Sequence, residues 1–165
     1  MDGELQLLAR ELNARLRSKG LTLSTAKSCT GGTVATAITS IAGSSDVFKG
    51  AVVAYSNEVK VNVLGVPQSV LDSEGAVSEA TVEAMAVGVK RIMNSDCAVA
   101  TSGIAGPGGA VPGKPIGTVW VAIAVGEKVV SKLLSIGDKG RESNICTAAK
   151  KVLSLLLEKV SNLSV

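Results

Sequence analysis

Ser28, Cys29 and Thr30 place a hydroxyl, a thiol and a second hydroxyl on consecutive residues, with Lys27 before them and Gly31-Gly32 after. Paired glycines let the backbone approach a ligand closely. A helix starting there offers N–H groups with no internal partner, so the turn could hold a nucleophile or an anion. Ser28 and Thr30 could equally be capping a helix, and the turn alone leaves both readings open. The chain contains no histidine, which removes Ser-His-Asp and Cys-His arrangements and histidine-based metal sites. Any general base must then be Lys, Tyr, Asp or Glu. A neutral lysine, helped by a tyrosine hydroxyl that positions or relays the proton, is the reasonable way to activate Ser28. Lys60 lies in an otherwise apolar segment, compatible with burial that lowers its pKa; a solvated lysine on a surface helix is the commoner outcome of such spacing. Tyr55 taken alone reads as a core tyrosine. Cys29 has no base of the usual kind and reads as a small buried residue.

The elements that must position these groups follow from composition and pattern. At 165 residues the chain fits one domain, residues 1–165, with a normal core. Hydrophobic residues make up 46% and charged residues 19%, which excludes a disordered chain. Phe, Tyr and Trp occur once each, so the core must be built from Val, Ile, Leu and Ala, and the scarcity of aromatics argues against a base-stacking surface. A net charge of +3 with scattered Lys and Arg argues against direct nucleic-acid contact. The three cysteines are far apart, with no CxxC pair, so no zinc cluster is supported. Their odd number, with no signal peptide, points to reduced thiols in the cytoplasm. No apolar run reaches the roughly 18 residues of a membrane span.

Leu5, Leu8, Leu12 and Leu16 mark a packing helix over 2–19, stopped by Gly20. A strand over 21–26 leads into the Ser28 turn and a helix over 33–41. Residues 50–55 read as a buried strand that leaves Tyr55 near its end, and 56–64 as a helix capped by Ser56 or Asn57 and stopped by Gly65. Short and long helices follow over 67–71 and from Ser78, the second with Val82, Met85, Ala86, Val89 and Met93 on one face. Residues 96–102 form another buried strand. Strands over 117–125 and 128–136 pair through a Gly126-Glu127 hairpin, and the last helix, 141–160, presents Ile145, Ala148, Ala149, Val152, Leu155 and Leu156. Alternating strands and helices followed by a hairpin predict an α/β fold, a three-layer α/β/α sandwich with a mixed β-sheet.

In such a sheet strand ends on one edge converge, so Ser28, Tyr55 with Lys60, and Thr101-Ser102 can meet in one pocket. The Gly- and Pro-rich connection from Gly103 to Pro115 follows a buried strand, a usual place for a ligand, although a surface loop without a role has the same composition. Backbone N–H groups near Thr30, Gly31 and Gly32 could form an oxyanion hole. Lys139 and Arg141, at the start of the last helix, could meet a phosphate or simply be solvated.

Five ordered blocks, Ser28-Cys29-Thr30-Gly31-Gly32, Tyr55-Ser56-Asn57-Glu58-x-Lys60, Gly75-Ala76-Val77-Ser78, Gly103-Ile104-Ala105-Gly106-Pro107 and Lys114-Pro115-Ile116-Gly117-Thr118-Val119-Trp120, resemble the CinA C-terminal domain family, the nicotinamide mononucleotide (NMN) amidases. The resemblance implies hydrolysis of the NMN carboxamide to nicotinic acid mononucleotide and ammonia, with no cofactor and no metal, in a homo-oligomer. It implies Ser28 as nucleophile with Lys60 and Tyr55 as activating partners. Thr30, Gly31, Gly32, Asn57, Ser102, Gly103, Ala105, Gly106 and Arg141 would contact the nucleotide, Arg141 at its phosphate. Three positions depart from the family pattern: Lys27 stands where glutamate is usual, Ser102 where threonine is usual, and Lys139 where the Gly-Asp-Arg segment has its first arginine. The alternatives are a nucleotide-binding module without turnover and, from a family name that reflects competence and DNA damage, a protein partner in those processes.

Overall fold

A computed structural model describes residues 1–164. Helix α1 (Gly3–Lys19) begins where the Asp2 carboxylate accepts from Leu5 N–H and ends at Gly20, whose φ of 66° suits a residue without Cβ. Strand β1 (Leu23–Lys27) runs into the Ser28 turn and α2 (Thr33–Thr39). One turn of 3-10 helix (Ser44–Asp46) leads to β2 (Phe48–Val53). The short helices α3 (Asn57–Asn62) and α4 (Gln68–Glu74) precede α5 (Glu79–Met93), which the Ser78 hydroxyl caps. Strand β3 (Cys97–Gly103), the hairpin of β4 (Thr118–Val125) and β5 (Lys128–Ser135), and α6 (Arg141–Ser161) complete the chain.

The five strands form one mixed sheet in the order β2-β1-β3-β4-β5. Strands β2, β1 and β3 are parallel, whereas β4 and β5 run antiparallel. Helices α1, α2 and α6 pack on one face over Leu23, Val99, Val121 and Ile123. On the other, α5 covers Ala26, Ala98, Ala100 and Ala122 through Val82, Met85, Ala86 and Val89, with Leu64, Val66 and Leu71 beside it. The expected α/β/α sandwich with a mixed sheet is the observed architecture.

Three expectations need correction. Strand β2 is an edge strand, half-buried and exposed at alternate residues, because among the described residues only β1 pairs with it. The fourth helix continues to Glu74 before Gly75, with φ of 81°, breaks it. In α6 the buried face is Asn144, Ala148, Ala149, Val152, Leu153, Leu156 and Val160, whereas Ile145 and Leu155 are half-buried.

The small side chains of this core set its close approaches. A Cβ at Gly88 of α5 would collide with the backbone carbonyl of Leu64, and one at Gly103 would fall 2.7 Å from the backbone of Thr118 and Val119. Gly88→Ala should therefore lower the stability by about 1–3 kcal/mol through overpacking, read as a fall in the urea midpoint. An unchanged midpoint would contradict the packing described.

Candidate active site

The C-terminal ends of β1, β2 and β3 bring the reactive groups together, as expected for adjacent parallel strands. Ser28 follows β1, and its N–H donates to Thr101 O at 3.0 Å, which fixes the turn to β3. Gly31, with φ of 54°, carries the chain towards α2, and Gly31 N–H donates back to Ser28 O at 3.1 Å. Thr30 is buried and exchanges a hydrogen bond with the Thr101 hydroxyl at 2.8 Å. The turn is thus held from below by two β3 contacts.

Lys60 is the decisive residue. Ser56 caps α3 by accepting from Val59 N–H, which points Lys60 inward, and the lysine is 1% exposed. Its Nζ donates to Ser28 Oγ at 3.2 Å and to Ala54 O at 2.9 Å. Burial moves the Lys60 pKa below its ordinary value of 10.5, opposed in part by the Cys29 thiolate form. A lysine whose charged form is disfavoured, with one hydrogen bond to a serine hydroxyl, can accept that hydroxyl's proton. Cys29 itself is buried, and burial pushes its thiol up to about 11. That disqualifies the rival nucleophile.

Above this pair lies a cleft of about 260 Å³, lined by Ser28, Cys29, Tyr55, Arg141 and the loop Gly103 to Gly109. Tyr55 lies two residues beyond β2 and is 63% exposed, so it is no core tyrosine. Its hydroxyl accepts from Arg141 Nη2 at 2.9 Å, and Arg141 Nη1 donates to Gly106 O at 2.9 Å. Asn144 Nδ2 holds Ala105 O at 3.1 Å. Lys114 Nζ donates to Glu74 O at 2.6 Å, so the Gly-rich loop is tied to α6 on one side and α4 on the other.

Of the residues singled out in the sequence, Ser28, Lys60, Tyr55, Gly103, Ala105, Gly106 and Arg141 meet at this cleft. Thr30 supports it from beneath, and Gly31 and Gly32 shape the turn without lining it. Asn57 is exposed at the start of α3. Ser102 is buried on the other side of β3, donating to Ala76 O at 2.7 Å. Thr101, Ile104, Gly108, Gly109 and Asn144 belong to the site or its supports and were not among the substrate contacts inferred from sequence. An asparagine among the apolar α6 positions was the available signal for Asn144.

The model of the CinA C-terminal domain matches residues 5–160. The chain belongs to the CinA C-terminal domain family. It is 50% identical over 135 residues to a CinA-like protein of Shewanella denitrificans, covering 82% of this chain and 32% of that protein. The chain therefore spans about a third of the length of the curated relatives it matches. A crystal structure of the competence/damage inducible protein CihA from Agrobacterium tumefaciens superposes with a TM-score of 0.95 at 37% identity over 98% of both chains. The competence damage-inducible protein A from Klebsiella pneumoniae gives 0.93 at 35%, over 97% of this chain and 99% of that one.

Lys27, singled out in the sequence, carries a physical cost. Alternation along β1 puts Leu23, Thr25 and Lys27 on the face covered by α1, α2 and α6. Lys27 is 0% exposed, and its Nζ has no hydrogen-bond partner among the described residues. Burial alone lowers its pKa from 10.5 to about 8. The unfolded chain then binds this proton more tightly, so the penalty is absent above pH 10.5, grows as pH falls towards 8, and is fully present below that. Its size is on the order of 3 kcal/mol. Lys27→Met should raise the urea midpoint at pH 7, with an advantage over wild type that shrinks between pH 8 and 10.5. A constant advantage, or a loss, would contradict an unpaired buried amine.

Proposed function

We propose that this chain hydrolyses the carboxamide of a pyridine mononucleotide, NMN, to the carboxylate and ammonia. The observation that carries the reading is the buried Lys60 Nζ, 3.2 Å from Ser28 Oγ at the floor of a cleft. Family membership supports the reaction class, and the five sequence blocks support the substrate.

Ser28 Oγ attacks the carboxamide carbon while neutral Lys60 takes the hydroxyl proton. Negative charge develops on the amide oxygen as the tetrahedral adduct forms. The tetrahedral adduct collapses with cleavage of the C–N bond, and the lysine proton leaves with ammonia. Water then attacks the Ser28 ester, passes its proton to Lys60, and frees the carboxylate as the proton returns to Ser28 Oγ. The substrate phosphate lies towards Arg141, which lines both the cleft and the adjoining groove at the start of α6.

Purified protein should release ammonia from NMN. Ser28→Ala should lower kcat by about a thousandfold or more, and Lys60→Met by about 10²–10⁴-fold. Equal rates for wild type and Ser28→Ala would sink the serine mechanism, and tight nucleotide binding without ammonia release would replace the enzyme with a binding module.

A further inference from the structure

Tyr55 does not face the Ser28–Lys60 pair through a hydrogen bond; its hydroxyl is held by Arg141. Arg141 in turn has no carboxylate partner among the described residues, where the ion pairs involve Arg17 and Lys150. Its guanidinium rests on two neutral acceptors, Gly106 O and Tyr55 Oη. A cation so placed is ready for an anion. Its charge already reaches the active-site turn, where it favours the Cys29 thiolate.

Arg141 stands at the junction of the Ser28 cleft and the groove lined by Lys139, Gly140, Ser143 and Thr33. A phosphoryl group arriving there offers charged oxygens in the geometry of the guanidinium fork. Such charge-assisted, bidentate bonds are about twice as strong as a bond to a neutral oxygen. The phenol is therefore the acceptor that loses. Tyr55 is largely exposed, so little packing resists its reorientation. Its neighbour Ala54 supplies the carbonyl that holds Lys60 Nζ, and Tyr55 lines the cleft together with Ser28, so the freed phenol remains in the cleft of the reacting pair.

We propose that Arg141 latches Tyr55 in a resting position, and that the substrate's phosphate opens the latch and so activates the site as well as anchoring the nucleotide. This rests on the amidase reading. It adds that the phosphate is an activator, so a pyridine amide without one is a poor substrate even when it occupies the cleft. Binding energy from the non-reacting end of the substrate is then used at the reacting end.

Two measurements test the latch. Nicotinamide riboside, which lacks the phosphate, is assayed with and without phosphite dianion in trans. Phosphite should raise riboside turnover about tenfold or more in wild type and have no effect in Arg141→Met or Tyr55→Phe. No activation in wild type that hydrolyses NMN normally would overturn the latch and leave the amidase reading standing. The second measurement does not depend on turnover. Tyr55 is the chain's single tyrosine, so ¹³C labelling at the tyrosine ring carbon that bears the hydroxyl gives one reporter of the Arg141 bond. Saturating phosphite should move that resonance in wild type towards its position in anion-free Arg141→Met. A wild-type resonance that phosphite leaves in place would overturn the latch whatever the amide assay gives.

Discussion

Lys60 keeps its ε-amine out of water with two acceptors, a serine hydroxyl and the backbone carbonyl of Ala54, and neither is an anion. A charged amine in that position lacks the counter-ion that would make its burial cheap. The charged form is correspondingly less favoured than in a free lysine, and a neutral amine against a hydroxyl is the state in which a lysine serves as a base. In a chain without histidine, the proposed chemistry depends on that exclusion of water.

The fold supplies the exclusion through side chains far from the reaction. Leu64, Val66 and Leu71 join the α5 layer and hold the α3–α4 segment down over the end of β2. The two bonds from the Ser28 turn to Thr101 fix the hydroxyl that Lys60 must reach. The β4–β5 hairpin completes the sheet beyond β3, and Gly103 lets β3 approach β4 closely where the loop over the cleft begins. The polar groups of the site therefore ride on an almost wholly aliphatic scaffold.

The architecture was legible because each element carried its own period and punctuation, such as Gly20 after α1, Ser78 before α5 and Gly126 in the hairpin. The Ser28 turn and the Gly103 loop were legible for the same reason. What sequence left open was settled by tertiary packing. Spacing favoured a solvated Lys60, and only the inward placement of α3 buries it. Composition made β2 look buried, but among the described strands its neighbour lies on one side only. Ser102 drew attention as the hydroxyl before Gly103, yet the two-residue period of a strand sends it to Ala76 and turns Thr101 towards Thr30. Lys27 stood out in sequence as a reversed charge; its physical difficulty is solitude, since no partner among the described residues meets its amine.

The most direct test of the account is the titration of the Lys60 amine itself. Lysine side-chain ¹³C NMR as a function of pH, with the Lys60 signal assigned by its loss in Lys60→Arg, reports the group without reference to any substrate. The account predicts a midpoint below the ordinary lysine value of 10.5. A midpoint at or above 10.5 would mean that Lys60 stays charged in the cleft, and would contradict its role as the base for Ser28.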